Sequence, residues 1–397
     1  MKGYVSVALV LMTSMSPTQN HVTPRFSMLT AGDEFTCGLT TDGAAWCWGA
    51  NQNGQLGSRS TETCKGVMYV ARGACSLRPA RVSGGLRFRA IDAGSYHVCG
   101  LTDEGRAYCW GRNALGELGR SDIPRRCVQE RFVEPCTDVP VPVETDLHFS
   151  AISAGDSFTC ALTTDGVPYC WGVNKDGVYG AGNSTGGDPR VVRISALGTF
   201  VTLSSSGSQT CALTSGGTVS CWGAGLTAAA RPIQLPGKAV TISRGWGHTC
   251  ALLTDGTGWC WGENDSGELG VKPSDSTYRI TVPLAQRAPK LDSLVAGFGG
   301  TCGIGHDHDL YCWGDGFTLG SRATEKCFHV DEWSGCSWAP ARVALDSIVS
   351  VTMGFVHACA LAQSGAAFCW GDNAAGALGN GSKRSSVEPR SVDMHLQ

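Results

Sequence analysis

Seven times along the chain, a cysteine is followed ten positions later by a second cysteine and then by Trp-Gly. The stretch TCALTTDGVPYCWG, Thr159 to Gly172, is one copy. Two short runs of β-branched, aromatic and small apolar residues flank Thr164-Asp165-Gly166. The glycine supplies the positive-φ residue of a three-residue hairpin turn. A turn centred on Asp165 sets Cys160 opposite Cys170 on antiparallel strands. Opposed Cα atoms lie roughly 4.5–5.5 Å apart, and a disulfide accepts about 4.4–6.8 Å. The spacing therefore permits a staple across each hairpin. The pairs are Cys37 with Cys47, Cys99 with Cys109, Cys160 with Cys170, Cys211 with Cys221, Cys250 with Cys260, Cys302 with Cys312, and Cys359 with Cys369. Loop-closure entropy limits each to about 2.5–3 kcal/mol.

Aligned on these pairs, the chain is a repeat. It reads AGDEFTCGLTTDGAAWCWGANQNGQLG from Ala31 and AGSYHVCGLTDEGRAYCWGRNALGELG from Ala93, with further copies from Ala154, Ser205, Arg244, Ala296 and Met353. The copy from Ser205 lacks the trailing N-x-x-G-x-L-G segment. Repeats of roughly 40 to 60 residues mean propellers, solenoids or arrays. Between copies recur Pro-containing segments such as RPARV at Arg78, VPVPV at Val139 and EPRSV at Glu388, followed by entry strands such as FRAIDAG at Phe88. Each unit is thus about four short strands that cannot bury both faces alone. The first unit opens on an entry strand at Arg25 and the last ends after EPRSV. A strand from the N-terminus is therefore expected to complete the last unit and close the ring, removing sheet edges. The expectation is an all-β, seven-bladed propeller forming one domain over residues 24–397.

The motif resembles the regulator of chromosome condensation repeat family, whose unit carries a Gly, often a His, an Ala-Leu strand, a Gly turn and W-G-x-N-x-x-G-x-L-G. The resemblance runs from about Ala31 to the C-terminus and implies a seven-bladed propeller. It fixes no function, because one fold hosts many. It brings three roles to weigh. The founding member is a nuclear exchange factor for a small GTPase, yet the basic pairs Arg125-Arg126 and Lys383-Arg384 are isolated. The family's plant photoreceptor uses repeated G-W-R-H-T motifs, and only GWGHT at Gly245 is similar, without the Arg. A secreted propeller of similar fold inhibits β-lactamases through a loop-rich face.

Twenty cysteines in 397 residues carry no C-x-x-C and no zinc-type Cys/His spacing. They read as disulfides of an oxidising compartment, with buried thiols as the alternative. Residues 1–20, MKGYVSVALVLMTSMSPTQN, read as a secretory signal or a disordered start. A secreted, periplasmic or cell-surface location follows. Hydrophobic content of 42% marks a folded chain, and a net charge of -3 gives no basic face for nucleic acid. No apolar run is long enough to span a membrane.

Function is expected on loops. Three stand out after units one, two and six, each with its own cysteine pair: Cys64 with Cys75, Cys127 with Cys136, and Cys327 with Cys336. They leave the repeat at one point, so they should share a face and cluster across contiguous units. Tyr69, Arg72, Arg126, Arg131, Phe132, Phe328, Trp333 and Trp338 in these stretches are the candidate binding residues, since aromatics and Arg anchor interfaces. The alternative is that these aromatics tuck against the rim. His97, His248 and His357 occupy one repeat position that is Phe35, Phe158, Gln209 or Gly300 elsewhere, which marks packing. Trp48, Trp110, Trp171, Trp222, Trp261, Trp313 and Trp370 are expected in the core. The cluster His306-Asp307-His308-Asp309 fills a hairpin turn and reads as solvated. No nucleophile motif, P-loop, cofactor or metal site is seen. The reading is a monomeric, non-catalytic binder of a protein or glycan. An intracellular exchange-factor-like regulator is the alternative, and an exported enzyme or enzyme inhibitor the second. Asn183, Asn264 and Asn380 stand in N-x-S/T contexts.

Overall fold

The computed structural model describes residues 24–60, 62–65, 73–129, 132–179, 185–194, 198–224, 230–274, 279–286, 288–323, 325–327 and 335–394. The segment read as a secretory signal lies outside them. Seven antiparallel sheets succeed one another, each made from one contiguous stretch of chain. Blade one runs Phe26–Ala31, Phe35–Thr40, Ala45–Ala50 and Gly73–Arg81, with Glu62–Cys64 added at its outer edge. Blade two repeats the plan and gains Arg126–Gln129 as a fifth strand. The other five have four strands each. The inner strands of all seven line one axial channel, so the expected propeller is present.

The hairpin follows from its turn. Gly43 has φ 79°, and the Thr40 hydroxyl donates to the Ala44 carbonyl at 3.0 Å. That register sets Cys37 opposite Cys47. The same pairing holds in every other blade: Cys99 with Cys109, Cys160 with Cys170, Cys211 with Cys221, Cys250 with Cys260, Cys302 with Cys312, and Cys359 with Cys369. All seven hairpin disulfides form. Their Cα atoms are 4.1 Å apart. That is just below the roughly 4.5 Å of a directly opposed, non-hydrogen-bonded antiparallel pair. The glycine after each tryptophan is equally local in origin. At Gly49, with φ 100°, a Cβ would stand 2.5 Å from the Glu34 carbonyl oxygen.

The core lies between blades. Each hairpin disulfide shares a buried cluster with the tryptophan of the following blade. Cys37–Cys47 packs with Trp110, Cys99–Cys109 with Trp171, and Cys160–Cys170 with Trp222. Cys211–Cys221 packs with Trp261, Cys250–Cys260 with Trp313, and Cys302–Cys312 with Trp370. Cys359–Cys369 completes the ring with Trp48. This explains why Cys and Trp are adjacent in sequence. One strand offers a disulfide to the blade behind it and an indole to the blade before it. Six of the indoles also donate to a backbone carbonyl of the preceding blade, as Trp171 does to Glu117 at 2.9 Å. Those carbonyls belong to the segment after W-G, which Asn51 and its equivalents hold: Asn51 Oδ1 accepts from Leu56 N at 3.1 Å. Blade four lost that segment, and Trp261 behind it is 7% exposed where the other six are at 0%.

Closure differs from the strand exchange read from the sequence. Phe26–Ala31 pairs with Phe35–Thr40 of its own blade, and Ser386–Ser391 is already the fourth strand of blade seven. No strand is missing, because the inner strand precedes its hairpin within the same unit. The ring shuts through packing and hydrogen bonds. Phe26 and Trp48 share a core with Leu361 and Leu378. Phe26 N donates to Gly365 O at 3.1 Å, and the Thr36 hydroxyl meets His357 Nε2 at 2.7 Å.

Candidate functional site

Strand direction separates two ends. The chain reaches one end along each inner strand, returns, and reaches it again along the third strand. The turn at Gly32-Asp33-Glu34 and the long loop after Ala50 therefore share an end, as the Ala50 N to Glu34 O hydrogen bond of 3.0 Å shows. The Thr-Asp-Gly turns lie at the other. There the charges are locally paired: Asp42 with Arg87, Asp255 with Lys290, and Asp309 with Arg342. The His306–Asp309 cluster belongs to this end. His306 Nδ1 meets Asp292 at 2.5 Å, and the Tyr311 hydroxyl donates to Asp307 at 2.8 Å. Exposure of His306 and Asp307 fits the solvated turn that was read.

The three long loops open on the first end, and their disulfides Cys64–Cys75, Cys127–Cys136 and Cys327–Cys336 all form. Two of the loops are braced in the same way. Glu62 accepts from Leu77 N at 2.7 Å, and Glu325 accepts from Trp338 N at 3.0 Å. Each Glu stands two residues before the first cysteine, and each N–H two residues after the second. The middle loop uses a charge pair at the same two places, Arg125 with Asp138. Arg59 from the first loop also reaches Asp138, at 3.5 Å, so loops one and two meet. The third contacts blade five: Cys327 Sγ lies 3.4 Å from Ser266 O, and Gly267 abuts Trp338.

Tyr69, Arg72, Arg131, Phe328 and Trp333 lie outside the described residues. Phe132 begins the long outer strand Phe132–Pro142. Arg126 is exposed and donates to Ile123 O at 3.3 Å. Trp338 is half-buried, with Lys272 Nζ 5.5 Å from its ring centre. Arg126 and Trp338 sit on blades two and six and share an end. Asn264 is fully buried and holds Leu269 N and Val271 O, which removes it as a glycan acceptor. Asn380 caps the backbone of Ser382, and Asn183 lies outside the described residues.

At the centre of the loop end is a feature the sequence reading passed over. The residue after the glycine of each A-G turn faces the axis, and it reads Asp33, Ser95, Asp156, then Trp246, Phe298 and Phe355 in blades five to seven. Together they rim a cavity of about 300 Å³. The Ser95 hydroxyl donates to Asp156 at 3.0 Å. Burial, then the Asp156 charge, push the Asp33 carboxyl up to about 7, and burial raises Asp156 as well. Trp246, whose side chain hydrogen-bonds Asp156, begins an aromatic run: Trp246 and Phe298 have centroids 5.2 Å apart, and Phe298 and Phe355 3.7 Å. Below the rim, side chains of one inner strand accept backbone N–H groups of the next: Thr30 from Ala93, Asp92 from Ala154, Ser153 from Ser205, Ser204 from Arg244 and Ser243 from Ala296. Blade six alone has an apolar residue, Val295, at that position. The signal was present in the aligned repeats, at the one position of A-G-x where the copies disagree most.

The seam histidines pack as expected. His97, His248 and His357 meet the hydroxyls of Thr159, Thr301 and Thr36 in the next blade at 2.9, 2.8 and 2.7 Å. Burial holds their pKa values near 3, 3 and 4. Among the described residues, no group of three or more His, Cys, Asp or Glu could hold a metal ion. No helix among them is long and apolar enough to cross a membrane.

The model of the regulator of chromosome condensation (RCC1) repeat matches residues 29–55, 88–117, 149–178, 239–268 and 348–377, and a second model of the repeat matches 104–162. The chain belongs to the regulator of chromosome condensation repeat family. This RCC1-type chain is 28% identical over 247 residues to the ultraviolet-B receptor UVR8 of Arabidopsis thaliana, covering 51% of this chain and 53% of that one. It thus spans about half the length of that relative. Prp20p of Saccharomyces cerevisiae, a structure described with its binding properties to Gsp1p and histones, matches with a TM-score of 0.74 at 20% identity over 94% of this chain and 88% of that one. The ectodomain of the receptor kinase CR4 of Physcomitrella patens matches at 0.54 and 21%, over 88% and 74%. At such identities the solved structures share the fold.

Proposed function

We propose that this RCC1-type propeller is a non-catalytic, secreted or cell-surface binding module that recognises a protein or glycan through its loop end. One observation carries the reading: three disulfide-braced loops and the axial mouth open on the same end, while the other end carries short turns, three of them with paired charges. Bracing lowers the ordering cost of binding. Ten disulfides and no free cysteine fit an oxidising compartment. The likeness to a receptor-kinase ectodomain agrees with display outside the cell, and relatives whose structures are described with protein partners agree with a binding role.

The test is site-specific photo-crosslinking on cells and matrix of the source organism. Probes replace Trp338 and Arg126 on the loop end, and Asp103 and Ser364 on the turn end. The reading predicts adducts from the loop end alone. Adducts from the turn end alone would reverse the binding face. The same natively sourced protein, alkylated without reduction, should show no free thiol. Twenty free thiols would move the search to an intracellular, exchange-factor-like role.

A further inference from the structure

We propose that the axial mouth of the loop end binds an organic cation, an ammonium or guanidinium group carried on an apolar arm. This deepens the reading of that end as a binding face, although its chemistry stands on the mouth alone. The wall is divided. Blades one to three present Asp33, Ser95 and Asp156, and blades five to seven present Trp246, Phe298 and Phe355. A ligand filling about 300 Å³ touches both halves. An apolar molecule would leave the carboxylates facing hydrocarbon, and an anion would be opposed by them. A cation on an apolar arm satisfies each half: carboxylates pair with the charge, and aromatic faces attract it and cover the arm.

Asp33 and Asp156 also repel each other across Ser95, with burial weakening their hydration. A cation between them relieves that repulsion. Arg244 is the positive side chain already present and its charge acts on Asp156, but it is buried at 6% exposed and its guanidinium donates to the carbonyls of His248 and Trp246, the latter at 3.0 Å, so it leaves Asp33 to a ligand. Asp33, Asp92 and Asp156 outnumber it in the channel lining. Trp246 is 47% exposed, open to a ligand from the end. The same chemistry occurs at the residue after Ser95, where Arg112 stands 6.0 Å over the Tyr96 ring while bonded to Glu134 at 2.7 Å. The cation can arrive as a free amine or as a Lys or Arg side chain of a bound protein.

Calorimetry and saturation-transfer NMR on the intact, oxidised protein test this with benzylamine, benzyl alcohol, benzoate and the peptide acetyl-Gly-Lys-Gly-amide. Benzylamine or the peptide should saturate one site, with the alcohol and the benzoate at least about tenfold weaker. Asp156→Asn and Trp246→Ala should each weaken that binding about tenfold. Near-UV circular dichroism checks that both variants fold, and Asp33→Asn is the second, isosteric variant. Asp103→Asn, exposed at the turn end, should change nothing. Tighter peptide than amine assigns the site to a partner's side chain, and the reverse to a free amine. Failure of both cations to bind overturns the proposal. So does equal binding of the alcohol, preference for benzoate, or indifference to both carboxylate variants. If benzylamine binds but the loop-end crosslinks fail, only the function proposed above is lost. The opposite pair of results loses only this inference.

Discussion

The two ends of the propeller are made by the same seven repeats and obey different rules. At the turn end four of the seven repeats agree: a Thr, an Asp and a Gly close the hairpin, and Arg87 and Lys290 pair two of those Asp residues, Asp42 and Asp255. At the loop end they disagree, and each disagreement adds a group that the framework does not need. Asp33, Asp156 and Trp246 satisfy no turn geometry, since Ser95 and Gly207 serve at the same position. Agreement between repeats therefore marks packing, and disagreement on a shared scaffold marks the surface available for recognition.

The largest test of that distinction compares two tryptophans. Trp171 is fully buried against the Cys99–Cys109 disulfide and donates to Glu117 O at 2.9 Å. Trp171→Ala should cost about 3–5 kcal/mol, through the cavity and an unpaired carbonyl. Trp246→Ala, at the open mouth, should cost within about 1 kcal/mol. Urea unfolding of both variants measures the difference. Equal losses would show that the mouth is framework after all.

What was legible in the sequence follows the same line. The cysteine register and its glycine turn rest on local geometry repeated along the chain, so one copy explained all, and the three histidines read as packing because other copies put Phe, Gln or Gly at that position. Closure was misread because the inner strand precedes its hairpin. A repeating sequence has no marked start, and only the pairing of Phe26–Ala31 with Phe35–Thr40 fixes where a unit begins. The mouth was missed for a different reason. Asp33 and Asp156 are distant in sequence and meet only through the ring, across Ser95 of the blade between them. The pairing of His97, His248 and His357 with Thr one blade later was readable in principle: those three histidines are each followed, in the next copy, by Thr before the first cysteine.

The seams and the mouth should also be separable by acid, because their buried groups titrate in opposite directions. Unfolded histidine has a pKa near 6.5, and burial lowers His357 to about 4. As pH falls between those values, the unfolded chain takes up a proton that the folded chain refuses. Stability from this seam is therefore present above about pH 6.5 and is lost on acidification. His357→Gln should lower stability at pH 7 by about 1–2 kcal/mol, through the weakened contact with Thr36. It should also flatten the fall between pH 6.5 and 4, by up to about 1.4 kcal/mol per pH unit. An unchanged slope would mean that water reaches the seam.

Asp33 supplies the smallest effect and the opposite sign. Its carboxyl is raised from 3.8 to about 7, by burial first and then by Asp156, with Glu34 adding to it and hydrogen bonds from Ser95 and Tyr96 opposing. Between those values the folded chain keeps a proton that the unfolded chain releases. The neutral carboxyl is no burden below about pH 4, and stability is lost as pH rises toward 7. Asp33→Asn removes the charge and keeps the shape. It should leave stability at pH 4 unchanged and raise it at pH 7.5, by on the order of 1 kcal/mol. Denaturation midpoints at the two pH values, with and without saturating benzylamine, give the comparison its finest edge. A cation seated beside Asp33 lowers its pKa, so the gain from Asp33→Asn at pH 7.5 should shrink in benzylamine. If the gain persists undiminished, the charge at the mouth is a defect of the framework and not part of a binding surface.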